Sequence, residues 1–100
     1  MPLEVCWTTF ARLHLARIIA YCGERDPDWA ATVNAAIAEK IEFLAEFPFL
    51  STIVRKTSRG DVRETIAANY RITYSVNERA QLIYIRSIRH VRQDDPDPSE

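Results

Sequence analysis

Glycine, cysteine and long apolar runs are scarce in this chain of 100 residues. Its two glycines exclude a collagen-like repeat, a glycine-rich linker and a glycine-rich phosphate-binding loop. Apolar runs are only a few residues long, so the sequence predicts no segment that spans a bilayer. The first residues, MPLEV, lack a basic region ahead of an apolar stretch, which argues against a secretory signal peptide. We therefore expect a cytoplasmic protein.

The two cysteines, Cys6 and Cys22, form no CxxC motif and have no histidine at a metal-ligand spacing. Without a secretion signal they are most simply free, buried thiols. We expect no metal site and no cofactor. The length suits one domain with a single core, which we place at residues 1–92. Residues 93–100 combine two prolines with acidic side chains and no hydrophobic residue, which predicts a disordered acidic tail.

Charge changes sign twice along the chain. Residues 1–50 hold four basic and seven acidic side chains, a balance of −3. Residues 51–92 hold nine basic and three acidic ones, a balance of +6, and residues 93–100 add −4. Arginine, which grips phosphate and carboxylate in a planar, bidentate way, dominates the basic block. Such a block forms either a solvated face or a docking surface for nucleic acid or an acidic protein segment.

The first quarter of the chain predicts a short strand and a helix. Residues 3–7 alternate loosely and contain Val and Trp, which favours a strand. Thr8 or Thr9 suits a helix N-cap, and apolar side chains then recur at three- and four-residue spacing. Gly23 can end this helix in a left-handed conformation. His14 falls on the polar side of the helix and is expected to be a surface residue.

A second helix start follows at once. Asp26 can act as the N-cap, and Pro27 fits the first helical position because its missing N–H would be unpaired there. The buried stripe is predicted from apolar residues at helical spacing: Ala30, Val33, Ile37, Ile41 and Leu44. Pro48 stops helical propagation. Two helices joined by so short a turn are expected to form an antiparallel hairpin.

The second half of the chain predicts strands. Residues 48–60 lack a helical period and read as a loop with one extended stretch, and strands are predicted at 62–66, 70–76 and 81–88. The middle strand is the clearest because apolar and polar side chains alternate strictly along it. One face carries Tyr70, Ile72, Tyr74 and Val76, and the other carries Arg71, Thr73 and Ser75.

The predicted fold is therefore α+β in the order β-α-α-β-β-β. A small, mainly antiparallel sheet carries a helix hairpin on one face. The opposite face is left open and bears arginine, which favours a partner over a second core.

Several segments in this order carry a family resemblance: Val5-Cys6-Trp7-Thr8 with the first helix, Leu44-Ala45-Glu46-Phe47-Pro48, Val62-Arg63-Glu64, Tyr70-Arg71-Ile72-Thr73-Tyr74 and Ile85-Arg86-Ser87-Ile88-Arg89-His90. Taken together over residues 3–92, they resemble the RelE/ParE superfamily of bacterial type II toxins. The resemblance implies a toxin held inactive by a cognate antitoxin, expected to be ParD-like, a ribbon-helix-helix protein with an acidic C-terminal segment. It also implies a hetero-oligomer that reaches operator DNA only through the antitoxin, and a link to plasmid stabilisation.

The superfamily contains two activities. RelE-like members cut messenger RNA in the ribosomal A site, whereas ParE-like members poison DNA gyrase. A third alternative is a non-toxic module that acts only in complex with its antitoxin. Metal-independent RNA cleavage needs a general base, cations for the phosphorane and an acid for the leaving oxygen.

The residues favour the ParE-like reading. Arg71 matches the arginine of the RelE-type YRLVY stretch, but ParE-type segments share it. His90 lies near the position of a catalytic histidine in some ribosome-dependent members. The Val62-Arg63-Glu64 segment has no lysine where RelE-like enzymes carry a pair, and the tail has Asp and Pro where a catalytic tyrosine would lie. A net charge of −1 is also poorly suited to the phosphate field of a ribosome.

We therefore predict a gyrase inhibitor without catalytic residues of its own. The expected contacts to target or antitoxin lie in the basic block: Arg63, Arg71, Arg89, His90 and Arg92. In a nuclease, Arg71, His90 and Arg63 would carry the chemistry.

Overall fold

Seven elements follow one another in the computed structural model, which describes residues 2–92. They are β1 (Glu4–Trp7), α1 (Thr9–Arg25), α2 (Pro27–Glu46), β2 (Thr52–Thr57), β3 (Gly60–Ala67), β4 (Tyr70–Asn77) and β5 (Leu82–His90). The acidic tail predicted at 93–100 lies outside the described residues. Within residues 2–92, neither helix is long and apolar enough to cross a membrane.

The strands form one five-stranded sheet in the order β1-β5-β4-β3-β2. β1 runs parallel to β5, and every other neighbouring pair is antiparallel. The predicted α+β architecture with its helix hairpin is confirmed. One strand more is present, since residues 52–57 of the segment predicted as a loop pair with β3 as an edge strand. β2 is exposed along most of its length, so its sequence shows no buried alternation.

Of the two threonines predicted as N-cap candidates, Thr8 is the one that caps α1. Its side-chain oxygen accepts a hydrogen bond from the Ala11 N–H at 3.1 Å. The prediction that Gly23 ends the helix is wrong, because α1 continues to Arg25 and Gly23 has no positive φ. A Cβ placed on Gly23 would lie 3.8 Å from the Cβ of Ala30 in α2. Gly23 therefore lies where the two helices approach closely.

A single residue, Asp26, joins the two helices. Its backbone N–H donates to Cys22 O at 2.9 Å and so ends α1. Its side chain accepts from the Asp28 N–H at 2.9 Å and so begins α2, with Pro27 next. The predicted cap and hairpin are confirmed. The predicted stripe of α2 is buried in full: Ala30, Val33, Ile37, Ile41 and Leu44.

The alternation in β4 places its apolar side chains against the helices, as predicted. Tyr70, Ile72 and Tyr74 belong to the buried core, and Val76 packs against it. β5 contributes Ile83, Ile85 and Ile88 to the same core. Cys22 of α1 is buried there too, whereas Cys6 is half-buried, and both thiols are free. We refer to this face as the helix side and to the opposite one as the open face.

Thr8 also ties α1 to the sheet. Its hydroxyl donates to Ile85 O at 2.9 Å and lies 3.2 Å from Arg86 O. Its backbone N–H donates to Ile85 O at 3.1 Å. One side chain therefore caps a helix and fastens it to β5.

We expect Thr8→Ala to lower the free energy of unfolding by about 1–2 kcal/mol, because it removes an N-cap and a hydrogen bond to β5. Urea denaturation measures this change. Thr9→Ala, one residue along in the exposed first turn, is the matched control and should stay within about 0.5 kcal/mol of the original chain. An equal loss in the two variants would contradict the role of Thr8.

Tyr70 makes the free energy of unfolding depend on pH in the alkaline range. Burial, with a smaller contribution from the Cys22 thiol 3.9 Å from its hydroxyl, raises the pKa of Tyr70 from 10.0 to about 12. The folded state therefore holds this proton more tightly than the unfolded state does. The resulting stability is fully present below pH 10 and is lost as pH rises through the folded pKa near 12.

Denaturation at a series of pH values should thus show the free energy of unfolding falling between pH 10 and 12. Tyr70→Phe should flatten that fall, leaving the part that comes from Tyr74, whose pKa is also raised by burial. A slope that Tyr70→Phe does not change would contradict the assignment.

Candidate functional site

The open face is defined by the register of the sheet, since paired residues on neighbouring strands share a face. Arg71 pairs with Arg89, Ser75 pairs with both Val62 and Tyr84, and Thr73 pairs with Glu64 and Ser87. The open face therefore presents a mixed polar surface with arginine at intervals. Arg55 of β2, the partner of Val62, adds a further guanidinium.

Two of the five predicted contact residues lie together on the open face. Arg71 and Arg89 are register partners across β4 and β5, and both are half-buried. The Nη2 of Arg71 donates to Val91 O at 2.7 Å, which holds its guanidinium near the end of β5. The prediction that Arg71 points away from the helices is confirmed.

Arg63 lies on the helix side instead. It is the register partner of Tyr74. Its Nη1 donates to Ser51 O at 2.8 Å and to Phe49 O at 3.3 Å, and its guanidinium carbon lies 5.1 Å from the centre of the Phe49 ring. Tyr74 donates to Pro48 O at 2.8 Å and is hydrogen-bonded to Ser51 Oγ. Arg63 thus fastens the connection between α2 and β2.

His90 also lies on the helix side. It is the register partner of Tyr70, and the two rings meet edge to face with their centres 5.4 Å apart. Its Nδ1 accepts from the Arg92 N–H at 3.2 Å. Arg92 itself is exposed beyond the end of β5. Of the three residues named for a nuclease, only Arg71 is therefore on the open face.

A groove of about 670 Å³ lies at the other end of the open face, between the β2–β3 and β4–β5 turns. Three arginines line it: Arg59, Arg79 and Arg86. Tyr84, Ser75, Val62 and Thr8 are among its other lining residues, and Glu78 is its acidic side chain. The volume is in the range of small-molecule sites. The arrangement can bind an anionic group, since cations line a concave surface.

Arg86 reaches this groove because of an irregularity in β5. Thr73 pairs with Ser87 whereas Tyr74 pairs with Ile85, which leaves Arg86 as the extra residue of a β-bulge. Bulges re-aim side chains and occur next to functional sites. The hydroxyl of Thr8 lies 3.2 Å from Arg86 O and fixes the bulge. None of the groove arginines is among the site residues that the sequence predicts, and the only sequence signal for them is their place in the basic block.

His14 is not the surface residue that the sequence predicts. Its Nδ1 accepts a hydrogen bond from the Ile88 N–H at 3.2 Å, and its ring stacks on Phe10 with centres 5.4 Å apart. The helical pattern misleads here because α1 packs on β5, so a polar residue beside the apolar stripe can reach a strand. Among residues 2–92, no three His, Cys, Asp or Glu side chains cluster in a way that could hold a metal ion.

The chain is similar both to a family model and to solved structures. A family model described as "ParE toxin of type II toxin-antitoxin system, parDE" matches residues 5–95. The crystal structure of the toxin–antitoxin complex RelBE2 from Mycobacterium tuberculosis contains a chain similar in fold, with a TM-score of 0.65 and 20% identity. That alignment covers 90% of this chain and 99% of the other. No curated protein gives a significant match.

Arg63→Ala should lower the free energy of unfolding by about 1–3 kcal/mol, because it leaves the Phe49 and Ser51 carbonyls without their charged donor. Arg17→Ala, on the exposed surface of α1, is the matched control and should cost less. Urea denaturation of both variants measures the two losses. A larger loss in Arg17→Ala would show that Arg63 is not the anchor of this connection.

Proposed function

The chain belongs to the ParE toxin family of type II toxin–antitoxin systems, and from this premise we propose that it inhibits DNA gyrase by binding, without catalysis, and is neutralised by a cognate antitoxin. The family match spans residues 5–95 and so includes the helix hairpin and all of the sheet except Glu4, the first residue of β1.

The observation that carries this proposal is the division of the candidate residues between the two faces of the sheet. A metal-independent nuclease needs its base, acid and phosphate-binding cations around one scissile bond. Here Arg71 is on the open face, whereas His90 packs on Tyr70 and Arg63 holds backbone carbonyls on the helix side. This separation favours a binding surface over an acid–base centre.

The open face offers two cationic regions for such binding. Arg71 and Arg89 lie side by side at one end, and the groove with Arg59, Arg79 and Arg86 lies at the other. Both suit gyrase or the DNA that gyrase holds, since arginine can bind either carboxylate or phosphate through two parallel hydrogen bonds. Arg92, the remaining predicted contact residue, is exposed beyond the end of β5.

The antitoxin has a different surface to bind. Large apolar side chains are exposed around the end of α2 and the start of β2, where Phe47, Phe49, Leu50 and Val54 are between 47% and 73% exposed. A second apolar region is a hollow of about 420 Å³ beside α1, which is lined by Trp7, Leu15 and Ile19 among others. Exposed patches of this kind mark protein interfaces. We infer a ParD-like partner that covers them in a hetero-oligomer and carries the contact to operator DNA.

A supercoiling assay with purified gyrase, run beside an mRNA cleavage assay on programmed ribosomes, tests the activity. We expect inhibition of supercoiling and intact mRNA. Arg71→Ala should weaken inhibition by about 1–3 kcal/mol in apparent affinity, since it removes a charge-assisted contact. Arg17→Ala, on the exposed surface of α1, is the matched arginine control and should inhibit like the original chain.

The cleavage assay discriminates against the RelE-like alternative. A general base or phosphate clamp costs roughly 10²–10⁴-fold in cleavage when it is removed. Cut mRNA that disappears in His90→Ala or Arg71→Ala would therefore overturn the gyrase proposal. A chain inactive in both assays would leave the third reading, an interaction module without toxicity.

A further inference from the structure

The groove between the β2–β3 and β4–β5 turns has a partly apolar floor. One row of register partners crosses it, with Val62 of β3 beside Ser75 of β4 and Ser75 beside Tyr84 of β5. Val62 is only 1% exposed, although its register places it on the open face. Tyr84 is half-buried. The side chains around Val62 therefore stand above it, which gives this end of the open face the depth to receive a ligand.

The two turns that flank the groove are each held by a side chain of their own. In the β2–β3 turn, Thr57 Oγ1 donates to Gly60 O at 2.9 Å and accepts from the Arg59 N–H at 3.1 Å. In the β4–β5 turn, Asn77 Oδ1 accepts from the Ala80 N–H at 3.1 Å. Since a binding site that is formed in advance has less conformational entropy to lose, these hydrogen bonds favour binding.

The charge of the groove is positive. Arg59, Arg79 and Arg86 line it, and among the described lining residues Glu78 carries the one carboxylate. Three guanidinium groups against one carboxylate give the lining a net charge of +2. Guanidinium groups bind phosphate through two parallel hydrogen bonds, so arginines on both turns and on β5 suit a ligand with several phosphate oxygens.

Together the floor and the charge select a chemical class of ligand. Tyr84 offers an aromatic ring, the kind of surface on which nucleobases stack. The arginines suit phosphate, and the volume of about 670 Å³ lies in the range of small-molecule sites. Inorganic phosphate would leave the aromatic ring unused, and a nucleoside would leave the arginines unused. A nucleotide uses both.

We propose that the groove binds a free nucleoside 5′-diphosphate or triphosphate, with the base against Tyr84 and the phosphates on Arg59, Arg79 and Arg86. The turns on either side favour a ligand that ends within the groove over a polynucleotide that continues beyond it. This function goes beyond inhibition of gyrase and does not rest on it, because the purified chain alone binds the nucleotide.

Isothermal titration calorimetry of the full chain with ATP, in EDTA so that no metal ion covers the phosphates, tests the proposal. Inorganic tripolyphosphate and adenosine are the matched partial ligands. Tripolyphosphate carries at least the charge of ATP, so tighter binding of ATP reports the base. We expect ATP to bind about tenfold more tightly than tripolyphosphate, since stacking of a base adds to the phosphate contacts. Adenosine should bind more weakly than ATP by a larger factor.

Substitutions in the groove should separate the two contributions. Tyr84→Ala should weaken ATP binding about tenfold and leave tripolyphosphate binding unchanged, which also shows that the variant is folded. Tyr84→Phe keeps the ring and should bind ATP like the original chain. Arg59→Gln with Arg79→Gln, on the exposed turns, should weaken binding of both ligands at least tenfold. Arg12→Gln with Arg17→Gln, on the exposed surface of α1, removes the same charge and should change neither.

NMR spectra of the unaltered chain locate the ligand without any substitution. Added ATP should shift the backbone amide signals of Ser75 and Tyr84 and leave those of Arg71 and Arg89 in place. The reverse pattern would put the nucleotide at the other end of the open face and overturn the proposal. ATP that binds no more tightly than tripolyphosphate, or equally well after Arg59→Gln with Arg79→Gln, would overturn it too.

A 5′-phosphorylated oligonucleotide distinguishes a free nucleotide from the end of a nucleic acid. It should bind the groove no more tightly than ATP does. Tighter binding that is lost in Tyr84→Ala would assign the groove to a nucleic-acid end and overturn the proposal for a free nucleotide. These measurements contain no gyrase, so their failure is distinct from failure of the supercoiling assay.

Discussion

The alternation of side chains in β4 is the constraint on which the rest of the molecule depends. Tyr70, Ile72 and Tyr74 can be buried against the helices only if the strand lies with that face inward. Because side chains in a sheet repeat every two residues, this choice also fixes the face of each residue that pairs with β4 on the neighbouring strands. Arg71 and Arg89 are directed outward by it, and Arg63 and His90 are directed inward.

Local signals predicted the elements well. Neighbouring residues in the sequence are enough to predict the helix caps, the buried stripe of α2 and the alternation of β4. The structure has caps at Thr8 and Asp26, and it has the stripe and the alternation where the sequence predicts them. Gly23 failed as a helix end because the stop signal that matters is the extended backbone of Asp26. β2 was missed because an edge strand that is exposed along most of its length shows no alternation of buried apolar residues.

The site was harder to predict than the elements, since the face of a residue depends on a partner strand that is distant in sequence. Arg63 and Arg71 look alike in the chain, and only pairing with Tyr74 and Arg89 separates an anchor from a contact residue. The groove depends on a bulge that shifts the register of β5 at Arg86. No local pattern in Ile85-Arg86-Ser87 announces it, so the arginines that line the groove stayed within an undivided basic block.

The helix junction at Asp26 has a consequence for engineering. The same residue ends α1 through its backbone and begins α2 through its side chain, so no linker exists between the two helices. An inserted residue or reporter domain at this point would separate the hydrogen bond that ends α1 from the hydrogen bond that begins α2, and both helix caps would be lost together. The β4–β5 turn is a more permissive place for a fused probe, since its residues from Asn77 to Gln81 are exposed. A probe inserted there would lie beside the arginine groove, because Asn77, Glu78 and Arg79 line it.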